Sequence, residues 1–238
     1  MIYRLASVAS LASIMTIACS QILIDDFEVG NLHVEITGTG NQVTQQINLD
    51  RDHVFAGERW TNYTVNSNPF GYTTSFDIDR GEARVTTPGP NDLSTELEFA
   101  YGLWQPMNLD LSWFQGQGRL FQIHLATNPR DLFAEVWDIF LTDGQGRATR
   151  NGQFGTIDGG IEFRKDGFVG NPDFDWADID YFEFKHRYNR QNTAPLSYST
   201  YGIWAVPEPG SAISYSLVAM FVVARARKRA RAAFRVKR

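Results

Sequence analysis

The sequence predicts an all-β chain, an antiparallel β-sandwich or jelly roll, with a signal peptide before it and a short apolar helix after it. Three observations carry this. Between residues 21 and 205, short segments rich in β-branched and aromatic residues recur at about ten-residue spacing. Turn formers separate them, among them Gly38-Thr39-Gly40-Asn41, Pro88-Gly89-Pro90-Asn91-Asp92, Asp143-Gly144-Gln145-Gly146 and Asp158-Gly159-Gly160. No stretch places apolar residues at helical spacing over three turns with capping residues.

The expected strands cover residues 22–28, 32–37, 43–49, 72–78, 83–87 and 96–101, then 120–127, 133–141, 161–164, 179–185 and 197–205. Period-two alternation is clearest where Phe121, Ile123 and Leu125 share one face against Gln122 and His124, and where Phe133, Trp137, Ile139 and Leu141 share the next. Residues 131–141 are the best helical candidate, but Val136, Trp137, Ile139 and Phe140 favour a strand. Many short strands and no fixed-period repeat describe one sandwich domain over 21–205.

The two ends read differently. Residues 1–4 are a short positive region, 5–18 are apolar and small, and Ala18-Cys19-Ser20 offers small residues at a cleavage site, so 1–20 reads as a signal peptide. Cys19 at that site also admits lipidation, although Thr16 stands where a lipoprotein usually has leucine. At the other end Val206-Pro207-Glu208-Pro209-Gly210 opens a tail over 206–238, followed by an apolar run at 211–224. A basic cluster at 225–238 closes it, beginning with Arg225, Arg227, Lys228 and Arg229. Prolines separate the domain from the tail, the apolar run can enter a bilayer, and the basic cluster resists translocation. The predicted location is therefore the exported side of a membrane, at the cell envelope or surface, with transient anchoring by the tail.

Cleavage after Ser20 leaves no cysteine, which excludes disulfides, thiolate metal sites and a cysteine nucleophile. Charge is uneven: residues 21–206 hold 13 Lys and Arg against 26 Asp and Glu, a net charge of −13, while the whole chain is at −5. An acidic domain with no basic stripe argues against nucleic acid and anionic polysaccharide as partners. Cations and neutral glycans stay open.

The tail closely resembles the PEP-CTERM sorting signal of bacterial exported proteins. That resemblance implies processing by exosortase, a membrane protease-transpeptidase, with Glu208 as the residue it reads. The domain's opening, Ile22-Leu23-Ile24-Asp25-Asp26-Phe27-Glu28 followed by His53-Val54-Phe55-Ala56-Gly57-Glu58-Arg59, looks like that of many PEP-CTERM proteins. Those begin with an "IDDF" strand and carry a "vlGG-R" segment, and Phe55-Ala56 departs from it. The pattern also resembles, loosely, galactose-binding-like jelly rolls such as carbohydrate-binding modules. These resemblances imply an exported protein of cell surface or extracellular matrix, with exopolysaccharide as a prospective partner.

Catalytic motifs are sparse. Glu96 and Glu98, Asp77 and Asp79, and Asp178 and Asp180 share strand faces in pairs, the raw material of two-carboxylate glycoside chemistry and equally the ordinary look of a solvated face. His33, His53, His124 and His186 show no zinc spacing, and no P-loop or nucleophile elbow occurs. A structural calcium is the cofactor the acids suggest: Asp25, Asp26 and Glu28 lie on the first strand, Asp173, Asp175, Asp178, Asp180 and Glu183 cluster near the last two, and in a jelly roll the first and last strands often pair or lie close. Six tryptophans remain. Trp137 and Trp204, at alternating strand positions, are expected in the core. Trp60, Trp104 and Trp113 sit in loop-like sequence beside Asn62, Asn108 and Gln115, which suits stacking on a sugar ring with amides for its hydroxyls, and suits core packing as well. The reading is a non-enzymatic structural or adhesive surface protein. Its alternatives are a carbohydrate-binding module for a neutral glycan and a secreted jelly-roll glycoside hydrolase.

Overall fold

The computed structural model describes residues 21–88, 91–112, 119–128, 135–154, 161–192 and 196–206. The expected signal peptide, the tail beyond Val206 with its sorting motif and basic cluster, and Trp113 lie outside them. Among the described residues no helix is long and apolar enough to cross a membrane.

Fourteen strands form in chain order: β1 (Ile22–Asp25), β2 (Leu32–Thr37), β3 (Gly40–Ile47), β4 (Glu58–Ser67), β5 (Thr73–Asp79), β6 (Glu82–Thr87) and β7 (Asn91–Tyr101), then β8 (Arg119–Asn128), β9 (Glu135–Asp143), β10 (Ala148–Phe154), β11 (Ile161–Arg164), β12 (Val169–Gly170), β13 (Ile179–Asn192) and β14 (Leu196–Ala205). They build two antiparallel sheets of seven strands each, and the expected sandwich is observed. The front sheet runs β12-β10-β9-β13-β7-β4-β3. The back sheet runs β11-β8-β14-β6-β5-β2, with β1 also on β14. β6 pairs with β14 over Leu196–Thr200 and β1 takes over from Ile203 to Ala205.

Alternation drives the assembly. On β8, Phe121 and Ile123 are fully buried while Gln122 between them is half-buried. On β13, Phe182, Phe184, His186 and Tyr188 point inward and Glu183, Lys185 and Arg187 outward. Aromatic rings join the sheets: Phe121 of the back sheet lies 5.2 Å from Phe182 of the front, and Phe76 lies 6.0 Å from Phe99. With no disulfide in the domain, burial of this aromatic interior is the main source of stability.

β4 and β10 occupy sequence expected to be loop, which places Trp60 on a strand. Their inward positions include Arg59 and Thr61 on β4 and Thr149 and Asn151 on β10, all buried. Polar residues on the buried face remove the hydrophobic alternation by which a strand is recognised. Trp204 is a second correction. Ile203 and Ala205 face the core, so Trp204 faces outward and is half-buried. Its ring lies back across Gly202, where a Cβ would stand 2.2 Å from the indole.

Candidate functional site

Antiparallel register fixes which side chains line the outer face of the front sheet. Directly opposed residues run Gln45-Trp60-Ala100 across β3, β4 and β7. The row continues through Glu183, Phe140, Arg150 and Val169 on β13, β9, β10 and β12. Because directly opposed residues share a face, one row crosses all seven strands. At about 4.8 Å per strand, Trp60 and Phe140 stand roughly 14 Å apart with Ala100 and Glu183 between them. A parallel row, Val43-Asn62-Glu98-Lys185-Asp138, runs beside it.

The charges in these rows are tied to one another. Lys185 Nζ lies 3.1 Å from Glu98, 3.4 Å from Glu96 and 3.6 Å from Glu183. Arg187 reaches Glu96 at 3.0 Å and Asp138 at 3.3 Å. Burial raises the pKa of Glu98, and the neighbouring Glu183 charge raises it further. Burial works against the charge of Lys185, but the hydrogen bond and charge of Glu98 outweigh it and hold the ammonium above its ordinary value. The Tyr181 hydroxyl donates to Glu183 at 2.8 Å. Burial, then this bond, pushes the phenol above its usual range. A shallow depression of 300 Å³ lies over Phe140, Glu183, Lys185 and Arg187.

At the β3 end of the same face lies a larger groove of 640 Å³. It is lined by Gln45 and Ile47 of β3, by Asn48, Arg51 and Glu58, and by Trp104 with Gln105. Trp104 is 67% exposed. Its backbone is nonetheless fixed. The Glu58 carboxylate, itself buried, accepts the N–H of Trp104 at 2.9 Å and that of Gln105 at 3.4 Å. Arg51 donates to the Gln105 side-chain oxygen at 2.8 Å. The groove thus sets an exposed indole among amides and one guanidinium, on a loop held by a buried carboxylate. Trp60 approaches from the sheet through Gln45, its direct partner.

Of the tryptophans expected to be available, Trp104 lines the groove and Trp60 lies half-buried beside it. Asn62 also faces this surface, whereas Asn108 folds its amide onto the Pro106 carbonyl. No local sequence signal marks Gln45 or Gln105.

The acids behind the calcium expectation are not brought together. β1 and β14 do pair, but the later acids sit on and before β13, in the opposite sheet. Asp25 is engaged by Arg59 and Tyr101, and Asp26 by His53 at 2.8 Å. Asp180 has a buried, unpartnered carboxylate oxygen, and no partner set with Glu28 forms. Among the described residues no three His, Cys, Asp or Glu stand together as a metal-holding group. The histidines are dispersed: His33 bonds Asp77 at 2.5 Å on the back sheet, and His186 is in the core.

No family model and no curated protein matches the chain. Among solved structures, it is similar to the family 11 carbohydrate-binding module of cellulosomal cellulase Lic26A-Cel5E of Clostridium thermocellum, with 14% identity and a TM-score of 0.37 over 80% of this chain and 96% of that one. A family 11 module from Clostridium thermocellum in complex with a β-1,3-1,4-mixed-linked tetrasaccharide is similar at 14% identity and a TM-score of 0.36, over 78% and 95%. An agarase, AgWH50C, is similar at 10% identity and a TM-score of 0.37, over 61% of this chain and 22% of that protein. At these scores none of the three carries an argument about ligand or activity.

Proposed function

We propose that the chain is an exported, non-enzymatic sandwich of the jelly-roll type that holds a neutral glycan at the groove and outer face of the front sheet. The observation that carries this is Trp104: a large aromatic, 67% exposed, on a backbone pinned by Glu58 in a 640 Å³ groove bordered by Gln45, Gln105 and Arg51. Leaving an indole in water is unfavourable unless it serves a contact, and a pinned indole gives a flat apolar surface at small entropic cost. Neighbouring amides and the guanidinium supply the directional bonds that sugar hydroxyls need. The net charge of −13 on residues 21–206 favours a neutral polymer over an acidic one.

The non-enzymatic part of the proposal rests on the front-face carboxylates. Glu96, Glu98 and Asp138 alternate with Lys185 and Arg187 in cross-strand ion pairs, which makes a firm polar surface and not a facing acid–nucleophile pair. Export and exosortase sorting belong to the same proposal and rest on the sequences of the two ends.

A single stacked ring contributes a few kcal/mol, which sets one-site affinity in roughly the millimolar to micromolar range. The test is calorimetric titration of the purified chain with a panel of neutral oligosaccharides, beside Trp104→Ala and Trp104→Phe. Binding abolished by Ala and partly kept by Phe is the expected result. No binding to any neutral glycan, or full binding by Trp104→Ala, overturns the reading.

A further inference from the structure

Every open sheet has edges, and an exposed edge is a row of unpaired N–H and C=O groups ready to pair with another strand. Among the described residues, four of the five outer strands of this sandwich are protected. β12 has two residues and β11 four. β2 carries His33 and Glu35, both well exposed, as charged groups on its outer face. β1 is covered by the segment before β4: Asp26 N–H bonds the His53 carbonyl at 3.2 Å, and Phe55 N–H bonds the Ile24 carbonyl at 2.9 Å.

β3 has none of these devices. It is eight residues long, Gly-Asn-Gln-Val-Thr-Gln-Gln-Ile, with no charge and no proline. Eight unbroken pairs with β4, from Gly40↔Val65 to Ile47↔Glu58, show no bulge to twist the edge away. Among the described residues β4 is its only strand partner. Val43 and Ile47 are 47% and 58% exposed on the same face. The strand behind is equally neutral at its surface, because Glu58 and Arg59, the charged residues of β4, are buried. A neutral strip two strands wide therefore borders a domain whose net charge is −13.

We propose that β3 is a self-association edge: two copies of this chain pair their β3 strands antiparallel about a twofold axis and join their front sheets. The occupant is a second copy because of charge and symmetry. Two domains of the same net charge repel wherever charged faces meet, and this strip lets them approach without that repulsion. Twofold pairing sets Gln42 and Gln45 against the same uncharged strand and covers Val43, while Gln46 stays turned inward on the Gly30 carbonyl and Arg59. The paired length is about 27 Å at roughly 3.4 Å per residue, a small interface of the reversible, concentration-dependent kind. β3 shares Gln45 and Ile47 with the groove proposed for a glycan, but mass and amide exchange read the pairing without any glycan.

The test is sedimentation of the full chain in detergent, which masks the apolar tail, across a wide concentration range. Backbone amide exchange is followed in the same samples. The wild type is expected to move from 26.9 kDa toward twice that mass with concentration, while amides of Gly40–Ile47 exchange more slowly. Val43→Lys opposes two lysines across the axis and is expected to weaken dimerisation at least tenfold with an unchanged far-UV spectrum. Gln45→Lys, on the same exposed face, repeats the test if the first variant is poorly folded. A wild type that stays monomeric, a dimer that survives both lysines, or a dimer without slowed exchange in β3 each overturns the proposal.

Discussion

Asp25 and Arg59 meet in a fully buried bidentate ion pair. The guanidinium donates Nε to one carboxylate oxygen at 2.6 Å and Nη2 to the other at 2.7 Å, and neither side chain reaches solvent. Tyr101 adds its hydroxyl at 2.7 Å and the Phe27 N–H bonds at 2.8 Å, so the carboxylate is saturated. Arg59 turns its Nη1 to the Val29 carbonyl and Gln46, and its plane stands over the Phe27 ring. Phe27 has φ 60°, a backbone conformation that side chains resist, and the Asp25 bond to its N–H helps hold it there. The pair ties β1 of the back sheet to β4 of the front one. It also joins two segments far apart in the sequence, 22–28 and 53–59.

Removing one partner of such a pair strands the other charge in the core. Arg59→Met or Asp25→Leu is therefore expected to destabilise the domain by about 3–5 kcal/mol in urea unfolding. The double variant is expected to recover part of that loss, since no uncompensated charge remains. A double variant no more stable than the worse single one refutes the ion-pair account.

His186 gives a pH prediction of definite sign. Its ring is buried, stacks on Trp137 at 3.6 Å, meets Tyr198 edge-on, and neither nitrogen has a hydrogen-bond partner. Burial lowers its pKa from 6.5 to about 3. The unfolded chain thus binds one more proton than the folded chain between those values. Stability rises with pH across that window and is lost as pH falls from about 6.5 toward about 3, by at most ~1.4 kcal/mol per pH unit. His33 and His53, raised by Asp77 and Asp26, act in the opposite sense but are exposed and weak. Denaturation of His186→Phe from pH 7 to pH 4 should show a flatter profile than wild type. Equal slopes mean that His186 is protonated in the folded state.

How much of this was legible in the sequence depends on where the partners lie. The two-sheet class and most strands follow from local alternation, as at Phe121 and Ile123. β4 does not, because its inward Arg59 is answered by Asp25, 34 residues earlier, and no local pattern shows that. β10 is similar: Asn151 faces inward and bonds the Arg164 carbonyl at 3.1 Å. Trp104 was visible as a tryptophan in a loop. Gln45 and Gln105 were not, since only register and a pinned turn bring two ordinary glutamines to the same groove.

Glu58 is predicted to be a positioning residue for the glycan groove. It accepts the Trp104 and Gln105 backbone N–H groups from a buried position, and a carboxylate does this better than an amide. Glu58→Gln should weaken oligosaccharide binding about three- to tenfold, equivalent to roughly 0.7–1.4 kcal/mol, with the unfolding midpoint little changed. Titration against the same panel reads it. If affinity is unchanged, the Trp104 loop keeps its place without Glu58.

The final prediction concerns the tail. As a helix, residues 211–224 would extend about 21 Å at ~1.5 Å per residue, short of a hydrocarbon core of roughly 30 Å. Arg225 and Arg227 would have to snorkel, or the bilayer thin, to complete a span, so the tail suits a temporary anchor. Pro207 and Pro209 restrict the chain on either side of Glu208 and favour the extended presentation that a protease needs. Surface-exposed protein should therefore lack peptides beyond Arg225 by mass spectrometry. Glu208→Ala should retain them while leaving the sandwich intact, because β14 ends at Ala205. Intact C-terminal peptides on the wild-type surface protein, or processing of Glu208→Ala at the wild-type rate, would reduce the motif to a linker.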